Sequence, residues 1–283
     1  MKIEQLLQRV SFIEMTARSR AQALLDAGSM RELVGPFDRI NSPWLERQGI
    51  VTQSDDGVVV AKGTFDGQSA VVLAIEGAFQ GGSLGEVGGA KIAGALELAA
   101  EDNRNGIPTR AIIVFETGGV RLQEANLGLA AIAEIHAAIV DLRRYQPVIA
   151  ISAGTVGCFG GMSIAAALCS YVVLTHEARL GLNGPAVIEQ EAGIAEYDSR
   201  DRPFIWSFTG GQQRFDSQLA DALVEDDCAQ MRAVVQDFFR RPLPACPRSD
   251  QVTRFLACLA EVDAGVQATP EQIRATYQKG FSA

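Results

Sequence analysis

Two stretches of the chain place glycines where an apolar, β-rich run passes into an alanine-rich, helix-forming one. In "PVIAISAGTVGCFGGMSIAAAL" (147–168) they are Gly154, Gly157, Gly160 and Gly161; in "RAIIVFETGGVRLQEANLGL" (110–129) they are Gly118 and Gly119. The first amides of a helix have no intrahelical acceptor and sit at the positive end of its dipole, so each joint is a ready anion site. If two such ends converge on one oxygen, they form an oxyanion hole without any ionisable side chain. Glycine serves there because a Cβ would block the approach or forbid the required φ. The candidate donors are the amides of Gly119 or Val120 and of Gly160 or Gly161. Arg121 follows the first pair, either as a guanidinium for a carboxylate or phosphate or as a partner for Glu124. A plainer reading of these glycines also stands: tight turns and close helix–sheet contacts.

Other chemistries find less support. The only histidines are His136, inside the helix-like "AEIHAAIV", and His176, at a strand end. "GGSLG" (81–85) matches the nucleophile elbow of serine hydrolases, yet no histidine follows in the last third of the chain to complete a triad. Ser83 therefore reads as a cap for a helix that starts near Gly85, with Glu86 in its first turn. No G-x-G-x-x-G follows the first strand and no P-loop occurs. The five cysteines form no CxxC pair, so neither a zinc ribbon nor a disulfide framework is expected, and no metal site is proposed. A net charge of -9 repels nucleic acid and anionic lipid. The opening residues lack a signal-peptide pattern and the apolar runs are too short to span a bilayer, which predicts a cytoplasmic protein.

These joints must be held by a sheet. Residues 1 to about 33 read as helical and 35–44 as loop. Two β runs, 57–67 and 68–79, meet at Asp66-Gly67, a strong hairpin signal. From there strand and helix patterns alternate through "AVVLAIEG", "EVGGAKIAGALELAAEDNRNG", "RAIIVFE", "LQEANLGLAAIAEIHAAIVDLRRYQ", "PVIAIS", "GMSIAAALC" and "SYVVLTH", with "ARLGLNG" as a short strand and turn. In the second helix pattern Leu129, Ile132, Ile135, Ile139 and Leu142 share one face. Strands separated by helices predict right-handed crossovers and a buried, mostly parallel sheet. After Pro203 the pattern turns polar and helical. The expectation is one α/β domain over 1–283, with its core at about 55–210 and helical ends at 1–33 and 212–283.

Six blocks make the chain resemble a known family: "ARSRAQALLDAGSMREL", "GTFDG", "EGAFQGGSLGEVGGAKIAGALELA", "ETGGVRLQEA", "GTVGCFGGMSIAAAL" and "ARLGLNGPAVIEQ". In this order, over residues 17 to about 195, they resemble the carboxyltransferases, subunits that handle acyl-coenzyme A and biotin in the acyl-coenzyme A carboxylases. The resemblance implies a crotonase-like spiral fold of ββα repeats with a crotonase-type oxyanion hole. Within the family the chain is most similar to the beta subunits of biotin-independent malonyl-thioester decarboxylases. The four-cysteine ribbon of the bacterial acetyl-coenzyme A carboxylase beta subunit has no counterpart here, and a single crotonase-like unit leaves the partner half to another polypeptide.

That likeness implies that beta and gamma subunits together convert a malonyl to an acetyl thioester on an acyl carrier protein. An alpha subunit acts as acyl-carrier transferase. The thiol belongs to a phosphoribosyl-dephospho-coenzyme A group of the carrier, and this chain binds no cofactor of its own. Gly119, Val120, Gly160 and Gly161 would supply the oxyanion amides. Gly81, Gly82, Gly118, Arg121 and Phe159 would line the substrate. The chain departs from the family at the second loop, typically Pro-Thr-Thr-Gly-Gly-Val: Cys158 and Phe159 add bulk before the glycine pair, and their contacts are left open. Transfer of the carboxyl group to biotin is the alternative activity. A non-catalytic scaffold is a third reading, and a hydratase is disfavoured for want of a suitably placed glutamate pair.

Overall fold

The computed structural model describes residues 8–49, 56–263, 265–266 and 268–282; residues 1–7 of the expected helical start lie outside them. Seven strands form one sheet in sequential order: β1 (Arg31–Val34), β2 (Val58–Phe65), β3 (Gln68–Ile75), β4 (Arg110–Val114), β5 (Val148–Ser152), β6 (Tyr171–Thr175) and β7 (Ala222–Val224). The first three pair antiparallel, and β3 through β7 run parallel. The parallel strands are joined by α2 (Glu86–Arg104), α3 (Asn126–Leu142) and α4 (Gly161–Leu168), then by α5 (Pro185–Ala192), α6 (Arg202–Thr209) and α7 (Gly211–Asp216). Helix α1 (Ala17–Leu24) precedes the sheet; α8 (Cys228–Arg240), α9 (Val252–Ala260) and α10 (Pro270–Ser282) follow it.

Both faces of the sheet are covered, which is why β4 and β5 read as unbroken apolar runs and every residue in them is buried. The two-residue period of β2 divides its side chains between two cores. Val58 and Val60 pack with Ile92, Ile132 and Met162 of α2, α3 and α4, while Val59 and Ala61 pack with Leu24 and Phe238 of α1 and α8. Each fully buried Ile or Leu contributes on the order of 1.5–3 kcal/mol of transfer free energy. Helices α2 and α3 approach closely because Gly89 faces Ala131; a β-carbon at Gly89 would lie 2.4 Å from that of Ala131.

The hairpin forms at Asp66-Gly67, whose φ values of 53 and 74° are those of a type I′ turn. Asp26 pins it. Its carboxylate accepts from the Thr64 hydroxyl at 2.7 Å, Gly67 N at 2.9 Å and Asp66 N at 3.1 Å, and pairs with Arg232. These donors, the Thr64 hydroxyl foremost and then the Gly67 amide, hold the carboxyl well below the usual range against the opposing effect of burial. A depressed folded-state pKa adds stability that is complete above the unfolded value near 4 and disappears as pH falls through the folded value. The melting temperature of Asp26→Asn is therefore expected to lie below wild type at pH 6, by a gap that begins to narrow as the pH is lowered below 4 toward 3. A gap that stays constant across this range would contradict the assignment.

Three elements differ from the sequence reading. Residues 31–34, expected at the end of a helix, form edge strand β1, because Gly28 takes φ 75° and the chain turns back onto β2. The expected helical run 216–239 is interrupted by β7, whose three residues pair with β6; Asp227 then caps α8 by accepting from Ala229 N at 2.7 Å. The sheet thus reaches past both expected core limits. The "ARLGLNG" segment makes only isolated bridges, Leu180 with Cys158 and Arg179 with Gly210. On α3 the residues Ile132, Ile135, Ile139 and Leu142 face the core, whereas Leu129 is 53% exposed. Among the described residues no helix is long and apolar enough to cross a membrane.

Candidate active site

The loops that leave β3, β4, β5 and β6 emerge at one edge of the sheet, the carboxyl ends of its parallel strands, where open α/β sheets bind ligands. They are joined into a second, short ladder. Leu84 N donates to Gly119 O and Arg121 N to Leu84 O, both at 2.8 Å. Thr117 N donates to Gly157 O at 2.8 Å, and Phe159 N to Thr117 O at 3.0 Å. Cys158 N donates to Arg179 O at 2.8 Å and accepts, through its carbonyl, from Gly181 N at 3.2 Å. The two glycine loops therefore lie side by side. A β-carbon at Gly160 would stand 3.2 Å from Gly119 Cα and 3.9 Å from Val120 N.

Protein groups explain the glycines of the second loop. A β-carbon at Gly154 would lie 2.0 Å from Glu116 Oε2, at Gly157 2.6 Å from Arg179 O, and at Gly161 2.9 Å from Ile132 Cγ2. Gly119, Gly157 and Gly160 also need their φ values of 110, 81 and 61°.

Following each amide to its acceptor divides the four candidate donors. Gly119 N donates to Thr117 Oγ1 at 3.0 Å and Gly160 N to Leu182 O at 2.7 Å, so neither is available for an outside oxygen. This corrects half of the expected set: Gly119 and Gly160 supply positive-φ turns, not donors. Val120 N and Gly161 N have no acceptor among the described residues, and both residues are half-buried. Gly161 is the first residue of α4, so its N–H is one that the helix itself leaves unpaired. Met162 N, next in the same turn, also has no acceptor there, but its residue is fully buried. This edge thus carries, on two adjoining loops, two main-chain amides with no acceptor among the described residues, one of them at the positive end of a helix.

The expected substrate-lining residues separate in the same way. Gly81 and Gly118 are exposed at the mouth and linked by Gly118 N donating to Gly81 O at 2.9 Å. Gly82 is buried, and a β-carbon there would lie 1.8 Å from the Glu116 carbonyl oxygen. Arg121 is only 4% exposed and points inward. It donates to Glu124 Oε1 and Ser83 O, both at 3.0 Å, to Ser83 Oγ at 3.3 Å and to Asp56 O at 3.4 Å, so it is a structural clamp and not an anion receptor. Ser83 accordingly does not cap α2; Glu124 does, accepting from Glu86 N at 2.7 Å. Phe159 is 4% exposed, and its ring packs beneath the Arg179 guanidinium, 5.4 Å from the ring centroid.

Neither histidine nor cysteine supplies a reactive group here. His136 Nε2 donates to Gly161 O at 2.8 Å, and His176 sits at 3.5 Å from Glu225. Burial pushes the Cys158 thiol well up and that of Cys169 up to about 12, so neither is a thiolate near neutral pH. Among the described residues no group of three His, Cys, Asp or Glu side chains gathers as a metal site. Sequence reading missed Thr117, whose hydroxyl takes the Gly119 amide, and Glu116. The only advance signal was their place directly before the glycine pair in "FETGGV".

Fold and site together define a carboxyltransferase architecture. The carboxyl transferase domain family matches residues 14–236, and the chain belongs to that family. It is 39% identical over 247 residues to the malonyl-S-ACP:biotin-protein carboxyltransferase of Malonomonas rubra, covering 84% of this chain and 78% of the relative. A chain of a Pseudomonas malonate decarboxylase hetero-tetramer, solved with malonate, is 68% identical, with a TM-score of 0.92 over 98% of this chain and 100% of that one. A chain of the Pseudomonas malonate decarboxylase MdcD–MdcE hetero-dimer is 63% identical, with a TM-score of 0.77 over 90% of this chain and 99% of that one. The transcarboxylase 12S core is 27% identical, with a TM-score of 0.67 over 83% of this chain and 42% of that one. The fold is the crotonase-like one these structures share.

Proposed function

We propose that the chain is the beta-type subunit of a malonate decarboxylase and decarboxylates a malonyl thioester held on an acyl carrier protein. The observation that carries this reading is the pair of free amides, Val120 N and Gly161 N, on two loops that touch each other. Both donate to the thioester oxygen. When the bond between the α-carbon and the carboxylate breaks, its electrons can spread only onto that oxygen, as an enolate, while carbon dioxide leaves. Donors fixed in advance at the developing charge stabilise the transition state more than the ground state, by about 3 kcal/mol for one such bond. The α-carbon then takes a proton and the acetyl thioester results. With His136 Nε2 committed to Gly161 O, we assign that proton to water or to a residue of the partner subunit.

The surroundings of the pair suit a partner. Leu122, Leu182, Leu129 and Ile164 are 81, 60, 53 and 45% exposed near the two loops, and α5 buries no residue at all. A gamma-type subunit of the same fold covers this face and completes the site. The acyl carrier protein brings the substrate on its phosphoribosyl-dephospho-coenzyme A arm, and an alpha-type subunit reloads the carrier.

Carboxyl transfer to biotin is the second reading, raised by the Malonomonas relative. The higher identity to decarboxylase chains, 68% against 39%, favours release of carbon dioxide. The deciding experiment purifies the chain with its copurifying partners and follows malonyl-carrier turnover with and without avidin. Carbon dioxide release that avidin leaves untouched is expected. Avidin-sensitive transfer, or no turnover by the assembled complex, would overturn the proposal.

A further inference from the structure

Behind the two free amides lies a buried ion pair for which the chemistry above has no use. Arg20 of α1 meets Glu116 Oε2 at 3.0 Å, with side chains only 6 and 5% exposed. Glu116 Oε1 accepts from Val156 N at 2.9 Å and Gly157 N at 3.2 Å. Gly157 O in turn accepts from Thr117 N, the residue after Glu116, whose hydroxyl takes the Gly119 amide. One dipeptide at the end of β4 thus grips both loops, the second through its carboxylate and the first through its hydroxyl. Gly154 and Gly77 lack side chains where Glu116 passes: β-carbons there would lie 2.0 Å from its Oε2 and 2.4 Å from its Cγ.

Arg20 is itself held. Its Nε donates to Phe12 O at 3.0 Å and its Nη2 to Ile13 O at 2.7 Å. The amides of Phe12 and Ile13 donate to Asp226 Oδ1 at 2.7 and 2.9 Å. A chain of directional bonds therefore runs from the start of α8 through the amino-terminal segment to the glycine loops. Desolvating two charges offsets most of their attraction, and an apolar pair of similar volume would stabilise the fold as well or better. What an ion pair with five directional bonds supplies instead is a fixed geometry.

We propose that Glu116, oriented by Arg20, is the positioning residue that sets the two glycine loops so that Val120 N and Gly161 N aim at one oxygen. The proposal rests on the decarboxylase reading for its kinetic test and is independent of it for its structural one. In the purified complex, Glu116→Gln keeps the shape but loses the charge. Displacements near 1 Å in a reacting geometry cost on the order of 10²-fold in rate. The expected result is a kcat at least about tenfold below wild type, with KM for the malonyl carrier within about threefold, because the carrier is not bound by this pair. Arg20→Lys keeps the cation but cannot hold the carboxylate and both carbonyls together, so it should show a smaller loss of the same kind.

Hydrogen exchange over residues 154–161 of the same complexes needs no substrate, and it should quicken in Glu116→Gln. If the wild-type complex does not decarboxylate, the functional reading falls and the exchange result still judges Glu116. Unchanged kcat in an assembled Glu116→Gln complex, or unchanged exchange, overturns the proposal. Failure of both variants to assemble also overturns it, because the pair would then be a folding element.

Discussion

A complex carrying Gly161→Pro should turn over the malonyl thioester roughly 10²- to 10³-fold more slowly than one carrying Gly161→Ala, the range seen when a single oxyanion donor is removed. The comparison replaces the Gly161 N–H with the proline ring Cδ, so an oxygen held there loses its donor and meets a methylene in its place. Gly161 is the first residue of α4, the position where proline is tolerated because its missing N–H has no intrahelical acceptor anyway. Proline also restricts the residue before it, but Gly160 has ψ -149°, outside the disfavoured helical region. Both variants place a β-carbon 2.9 Å from Ile132 Cγ2, so the crowding against α3 is common to the two and cancels in their ratio. Equal kcat values in two assembled complexes would remove Gly161 N from the mechanism.

Arg121→Ala should weaken folding by about 3–5 kcal/mol, the usual result of taking one partner from a buried ion pair. Glu124 would be left as an uncompensated charge with its side chain 6% exposed, and two acceptors on Ser83 would lose their donor. Because Glu124 also caps α2 through Glu86 N, the loss should loosen the start of that helix as well. Denaturant unfolding of the purified chain measures the change. A variant as stable as wild type whose only defect is a raised KM for the malonyl carrier would restore Arg121 to the substrate.

The sheet and the place of the site were legible because their signals are local. Val and Ile runs separated by amphipathic helices, the Asp66-Gly67 hairpin and glycines at two strand–helix joints need no knowledge of distant contacts. The identity of the donors was not legible. Whether Gly119 N or Val120 N is free depends on Thr117 Oγ1, and Gly160 N is taken by Leu182 O, more than twenty residues away in the chain. Arg121 shows the same limit: its pairing with Glu124 was one of two readings, and only its burial under Ser83 and Asp56 decides between them. Strands β1 and β7 escaped because four and three residues carry too little periodicity; their pairing is set by β2 and β6.

The ladder that ties Leu84, Val120, Thr117, Cys158 and Leu180 together has an implication for how such a chain can change. Successive residues in an extended segment face opposite ways, so adding or deleting one residue inside any of these loops would turn Val120 N or Gly161 N toward the interior. Loop length at this edge is therefore quantised, however freely the neighbouring side chains are exchanged.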